Sequence, residues 1–83
     1  MSCFVYIIQS ADSGKYYIGQ SENLERRIAQ HNSARGRSTK SGVHWELKYV
    51  EEFPDRKTAM NREREIKNKK SRRFIEWLIS QRQ

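Results

Sequence analysis

One cysteine, one proline and four glycines in 83 residues leave this chain few ways to be stapled or broken. With Cys3 alone, no intrachain disulfide can form, a cysteine-rich metal site is excluded, and no disulfide-linked partner is expected. No apolar run approaches the roughly eighteen residues that a membrane helix needs. The longest apolar run, Cys3 to Ile8, covers six residues, a length typical of a buried strand. A signal-peptide pattern is also missing, so the expectation is a soluble cytoplasmic protein (nuclear in a eukaryote) with no membrane partner. Internal repeats and low-complexity tracts are absent. The length suits one domain, residues 1–83, with a single core.

Positive charge and aromatic rings are what the chain does have. Nine aromatics, Trp45 and Trp77 among them, supply much of the apolar area that such a core requires. The net charge of +7 is localised: residues 56–73 hold nine basic residues against Glu63 and Glu65, and the remainder is balanced. A basic segment beside a neutral body suggests a polyanionic partner, nucleic acid first. A solvated lysine-rich helix without a ligand has the same composition.

The sequence is organised around Phe4–Gly19, read as a β-hairpin. FVYIIQ and KYYIGQ have strand composition, and Asp12-Ser13-Gly14 between them supplies turn chemistry. Closing the hairpin with Ser10 opposite Lys15 sets Ile8 against Tyr17 and Tyr6 against Gly19. Tyr6, Tyr17 and the bare Gly19 then share one face, and a slip of one residue separates them. Ser21 is a candidate cap for a helix over SENLERRIAQH, in which Leu24 and Ile28 form a narrow apolar stripe. Arg27 and His31, four apart beside that stripe, can meet one anionic ligand. A covering arginine stem and a helix-terminal cation fit the same spacing.

Residues 32–42 read as a loop in which Arg35, Arg37 and Lys40 could grip phosphates. Trp45, Leu47 and Tyr49 alternate with polar residues and predict a strand with one buried face, ended by Pro54. A helix follows from Asp55 or Thr58 to about Lys70. At one hundred degrees per residue its inward side comprises Ala59, Met60, Ile66 and Lys67, with Glu63 central. A carboxylate placed there calls for a partner: a metal, a catalytic role, or a neighbouring arginine. Ser71 is expected to cap a terminal packing helix with Phe74, Ile75, Leu78 and Ile79 at helical spacing.

Taken together, Val5-Tyr6, Tyr17-Ile18-Gly19, Arg27 with His31, and Ala59-x-x-Arg62-Glu63-x-x-Ile66-Lys67 resemble the GIY-YIG nuclease family, and most closely its small single-domain members. The likeness covers nearly the whole chain. It implies an α/β fold, a small three-stranded antiparallel sheet flanked by helices in the order β-β-α-β-α-α. It also implies hydrolysis of a DNA phosphodiester with one divalent metal, Mg²⁺ or Mn²⁺. Carried over, Glu63 would be the metal ligand and Arg27 would stabilise charge on the phosphate. Tyr6 would deprotonate or position the attacking water, while Tyr17 and His31 complete the network. Two features depart from the family pattern: Phe4 stands where the first motif has glycine, and no asparagine follows Asn68.

The resulting expectation is a metal-dependent DNA endonuclease with catalytic residues Tyr6, Tyr17, Arg27, His31 and Glu63, shaped by Gly19. All five are expected to meet over one concave face of the sheet. The DNA backbone would be held by Arg35, Arg37, Lys40, Lys67, Lys69, Lys70, Arg72 and Arg73, with weak sequence preference, and specificity could come instead from DNA shape such as branches, flaps or nicks. A phenol of pKa about 10 is only roughly 0.1% ionised at neutral pH, so a basic Tyr6 needs help from its surroundings. The alternative is a nucleic-acid-binding module that keeps the fold without cleaving. A protein-interaction adaptor built on the Trp77 helix is a third reading.

Overall fold

Ser10 closes the hairpin from which the sheet grows. In the computed structural model, which describes residues 2–32 and 44–81, β1 (Cys3–Ser10) and β2 (Tyr16–Ser21) pair antiparallel. Ser10 N–H donates to Lys15 O at 2.9 Å, and the Ser10 hydroxyl accepts from the N–H groups of Asp12 and Ser13 at 3.2 and 3.1 Å. Gly14 completes the turn at φ +77°, a region that favours glycine. Tyr6 therefore lies opposite Gly19 and Ile8 opposite Tyr17.

β3 (Trp45–Phe53) returns antiparallel along the other side of β1, giving the sheet order β2-β1-β3. As the central strand, β1 buries Val5 to Ile8 completely, which accounts for an unbroken apolar run in place of alternation. The expected single buried face of β3 is not found. The register shifts between Ile7, opposite Tyr49, and Ile8, opposite Leu47, so Lys48 is an extra residue and the facing reverses there. Tyr49 joins the core, whereas Leu47 is 42% exposed on the same side as Ile8.

Three helices complete the order: α1 (Leu24–Asn32), α2 (Arg56–Lys69) and α3 (Arg72–Gln81). Asp55 caps α2 by accepting from Thr58 N–H at 2.8 Å, and Ser71 caps α3 by accepting from Phe74 N–H at 3.1 Å. Ser21 does not cap α1. Pairing with Phe4 keeps Ser21 in the sheet, and Asn23 Oδ1 takes the capping bond from Arg26 N–H at 3.0 Å. The main core lies between one sheet face and the α2–α3 pair: Cys3, Val5, Ile7, Ile18 and Tyr49 pack on Ala59, Ile66 and Leu78.

The inward side of α2 is narrower than the sequence suggests. Ala59 and Ile66 are its centre, while Met60 is 42% exposed and Lys67 lies outside. Glu63 flanks the buried arc on one side and Arg62 flanks it on the other. Arg62 holds Glu51 of β3 through two bonds, Nε–Oε1 at 2.9 Å and Nη2–Oε2 at 3.0 Å, and so ties helix to sheet. Among the described residues no helix is long and apolar enough to cross a membrane. Cys3 is a free, buried thiol, which burial pushes above its usual pKa.

Candidate active site

The face of β1 and β2 that carries Tyr6, Ile8, Tyr17 and Gly19 lies opposite the α2 core and is served by α1. Arg27 and His31, one helical turn apart, both reach the Tyr6 hydroxyl. Arg27 Nε donates to Tyr6 Oη at 3.3 Å, and His31 Nε2 lies 3.2 Å from the same oxygen. Tyr17 packs its ring on His31 with centroids 4.7 Å apart, and sits 6.4 Å from the Tyr6 ring. Gly19 makes this possible, since a Cβ there would stand 2.6 Å from Tyr6 Oη.

Burial sets the protonation states. Desolvation pushes the Tyr6 phenol above its ordinary pKa, and the opposing pull of Arg27 does not reverse the shift. His31 is lowered, first by burial and then by the Arg27 charge, so its imidazole is neutral at neutral pH. A guanidinium has only donors, so the Tyr6 oxygen accepts from Arg27. Towards His31 Nε2 the phenol donates when the imidazole is the Nδ1–H tautomer and accepts when it is the Nε2–H tautomer.

Glu63 approaches from elsewhere. α2, which carries Glu63, packs through Ala59 and Ile66 on the sheet face opposite Tyr6 and Tyr17. The Glu63 side chain is 19% exposed and bonded to Lys67 Nζ at 2.7 Å. Its charge still acts on the Tyr6 phenol, raising the pKa further. Lys67 and Tyr17 line the same groove along β2, the edge strand, so the arrangement wraps around that edge. A divalent cation suits this donor set. Glu63 is a hard oxygen ligand, and Mg²⁺ accepts one carboxylate with waters and substrate oxygens filling its octahedron. Among the described residues no group of three or more His, Cys, Asp or Glu could form an all-protein cage.

The basic residues divide. Arg72 donates to Glu76 at 3.2 Å and to Gly14 O at 3.2 Å, and its guanidinium lies 4.9 Å from the Tyr16 ring centre. Lys69 covers the Phe74 ring at 5.4 Å, Lys70 is the left-handed C-cap of α2, and Arg73 is exposed. Arg35, Arg37 and Lys40 lie outside the described residues.

A family model described as the GIY-YIG catalytic domain matches residues 2–75. The chain belongs to the GIY-YIG family. Its relatives include a UPF0213 protein of Bacillus cereus, 44% identical over 62 residues, which are 74% of this chain and 62% of that protein. A UPF0213 protein of Natronomonas pharaonis is 38% identical over 66 residues, 78% of this chain and 76% of its own length. The solution NMR structure of the UPF0213 protein BH0048 from Bacillus halodurans superimposes with a TM-score of 0.60 at 34% identity, covering 96% of this chain and 84% of that one. The match to the Bacillus cereus relative thus spans less than two thirds of that protein. Membership brings the three-stranded antiparallel sheet with three helices, and places the chain in a nuclease family.

Two residues beside this GIY-YIG site escape a reading of the sequence. Asn32, assigned to the loop by its neighbours, ends α1 and clips it to β3. Its Oδ1 accepts from Trp45 N–H at 2.6 Å and its Nδ2 donates to Trp45 O at 3.1 Å. The Trp45 ring then walls the site, 6.3 Å from Tyr17 and 6.1 Å from His31, its buried Nε1 lacking a partner among the described residues. The one signal available is that Asn32 adjoins His31.

Proposed function

We propose that this GIY-YIG chain is a divalent-metal-dependent DNA endonuclease that hydrolyses phosphodiester bonds. Tyr6, Tyr17, Arg27, His31 and Glu63 carry the reaction and Gly19 shapes the site. The observation that carries this reading is the Arg27–Tyr6–His31 cluster, because pure binding has no use for a buried phenol held between a guanidinium and a neutral imidazole.

A raised phenol pKa argues against a standing phenolate. Tyr6 acts instead as a relay. Its oxygen takes a proton from the attacking water while its own proton passes to His31 Nε2, so that hydroxide forms as imidazolium appears. Imidazolium beside Arg27 is costly in the free protein, and a bound phosphate dianion-like transition state offsets that repulsion. Arg27 faces the charge accumulating on the phosphate oxygens, and Tyr17 holds the His31 ring in place. Glu63 would hold the divalent ion, which when bound supplies Lewis-acid stabilisation of the phosphate and the leaving oxygen. Lys67, now on Glu63, is an exposed side chain free to turn towards a phosphate.

Cleavage of supercoiled, linear and branched DNA in Mg²⁺ or Mn²⁺ tests this. Arg27→Ala should lose about a hundredfold to a thousandfold in rate. Glu63→Gln and Tyr6→Phe should fall to background, while DNA binding persists. Cleavage that survives Glu63→Gln would reject the assigned site. Binding without cleavage by any version would leave the non-catalytic module.

A further inference from the structure

A pocket of about 250 Å³ lies where the start of α1 meets the first turn of α2. One wall is a stripe along α1, the cap Asn23 followed by Arg26, Arg27 and Gln30 at helical spacing. The other wall is Arg56 of α2 with Glu22. Three guanidiniums therefore share the space with one carboxylate. Arg56 and Glu22 form a long pair at 3.8 Å between side chains that are 61% and 46% exposed. The Arg26 guanidinium has no ion-pair partner among the described residues. Side chains, not the helix end, make this pocket, since Asn23 Oδ1 already takes Arg26 N–H at 3.0 Å.

Arg27 joins the pocket to the candidate active site. Its Nε donates to Tyr6 Oη at 3.3 Å and its Nη1 donates to Gln30 Oε1 at 3.4 Å, and both Arg27 and Gln30 line the pocket. Like charges gathered this closely repel unless an anion lies among them, and an exposed pair such as Arg56–Glu22 yields to one at little cost. Guanidinium forks match the oxygens of a phosphate. The pocket is smaller than the roughly 300–1,000 Å³ of sites for whole small molecules, so it suits a single anionic group. Because one guanidinium serves both places, a group held here and a phosphate at Tyr6 can be consecutive on one strand.

We propose that this pocket is a subsite for the phosphodiester next to the scissile one on the same strand, held by Arg26 and Arg56. The substrate then needs two consecutive internal phosphates. Only the place beside a scissile phosphate rests on the nuclease reading; capture of a backbone phosphate does not.

Binding is tested on the intact chain in EDTA, by following the arginine Nε–Hε resonances as a short duplex with hydroxyl ends is added. Arg26 and Arg56 should shift together. The same duplex with phosphorylated ends, and inorganic phosphate alone, are the other arms. Shifts confined to those two arms would put a free phosphate in the pocket and overturn the strand-internal assignment. Arg26→Gln and Arg56→Gln lie at exposed positions and leave the Asn23 and Asp55 caps in place. Each should weaken duplex binding about tenfold, the scale of one charge-assisted contact. Arg64→Gln removes the same charge from another side of α2 and should weaken it far less. Equal losses in all three would mean diffuse charge and overturn the subsite, as would unmoved Arg26 and Arg56 resonances at saturation. In Mg²⁺, Arg26→Gln and Arg56→Gln should raise KM and spare kcat, the pattern of a contact made equally in ground and transition states. A fall in kcat at unchanged KM would place these arginines on the reacting phosphate and overturn the subsite. Shifts at Arg26 and Arg56 with no cleavage by the parent would keep the phosphate pocket and reject the nuclease.

Discussion

A Cβ at Gly19 would stand 2.6 Å from Tyr6 Oη, 2.8 Å from Tyr6 Cζ and 3.2 Å from Tyr17 Cε2. Tyr6 is fully buried and its ring is rigid, so the phenol must move as a body. Gly19→Ala should therefore destabilise by about 1–3 kcal/mol through overpacking. Thermal melting reads this as a fall of about 4–8 °C per kcal/mol for a domain of this size. The same shift pulls Tyr6 Oη off Arg27 and His31, so activity should fall further than the fraction unfolded explains. His31 gives the second test at this scale. Its folded pKa lies below the ordinary 6.5, for burial and Arg27 both oppose its charge. In that window the unfolded chain binds more protons, so the contribution to stability is intact above about pH 6.5 and is lost as pH falls through the folded value. Denaturant midpoints measured from pH 7 towards 5 should drop in the parent and lose that part of the slope in His31→Gln. Cleavage should decline over the same interval, since protonated His31 cannot accept from Tyr6.

Between elements, the weight rests on Asn32, which joins the end of α1 to the start of β3 by two bonds to the Trp45 backbone. Without that clip His31 is free to turn towards water. Asn32→Ala should cost about 1–3 kcal/mol, the range for stranding bonded backbone groups. It should also raise the His31 pKa towards 6.5, read from the imidazole resonances, which a purely structural loss far from His31 would leave unmoved. Asn32→Asp keeps the acceptor for Trp45 N–H and should restore part of both effects. The sequence carries the order of elements well, because turn chemistry at Ser10–Gly14, caps at Asp55 and Ser71 and the β1 apolar run are local signals. Tyr6 and Tyr17 can be set on one face because a tight turn dictates the hairpin register. The β3 facing cannot be read, because a bulge at Lys48 is a relation to β1 and leaves no mark in the composition of β3. The clip is hidden for the same reason: an amide bonding to backbone thirteen residues away has no periodicity. Periodicity centres the α2 stripe on Glu63, whereas the buried centre of the helix is Ala59 and Ile66, with Glu63 at its flank.

Across the whole molecule, residues 56–73 account for the entire excess of +7. Some of that charge is already matched inside the fold, by Arg62 on Glu51 and Glu65, Lys67 on Glu63 and Arg72 on Glu76. Exposed pairs of this kind contribute only about 0–1 kcal/mol each, so a phosphate can replace a carboxylate at Lys67 or Arg72 with little loss. Arg62 is different, since its two bonds to half-buried Glu51 are part of the α2–β3 join, and it should not move to DNA. Where α2 meets α3, Lys67, Lys70 and Arg72 share a groove with Lys15 of the hairpin turn. Four phosphates, one for each of these cations, contribute about −3 to −4 to the slope of log affinity against log salt on duplex DNA. Lys70→Asn should make that slope shallower by about 1, whereas Arg62→Gln should lower the melting temperature and leave the slope unchanged. A salt response that stays flat in the parent would mean that the basic face is solvated surface and that DNA, if bound, is held by something other than its backbone.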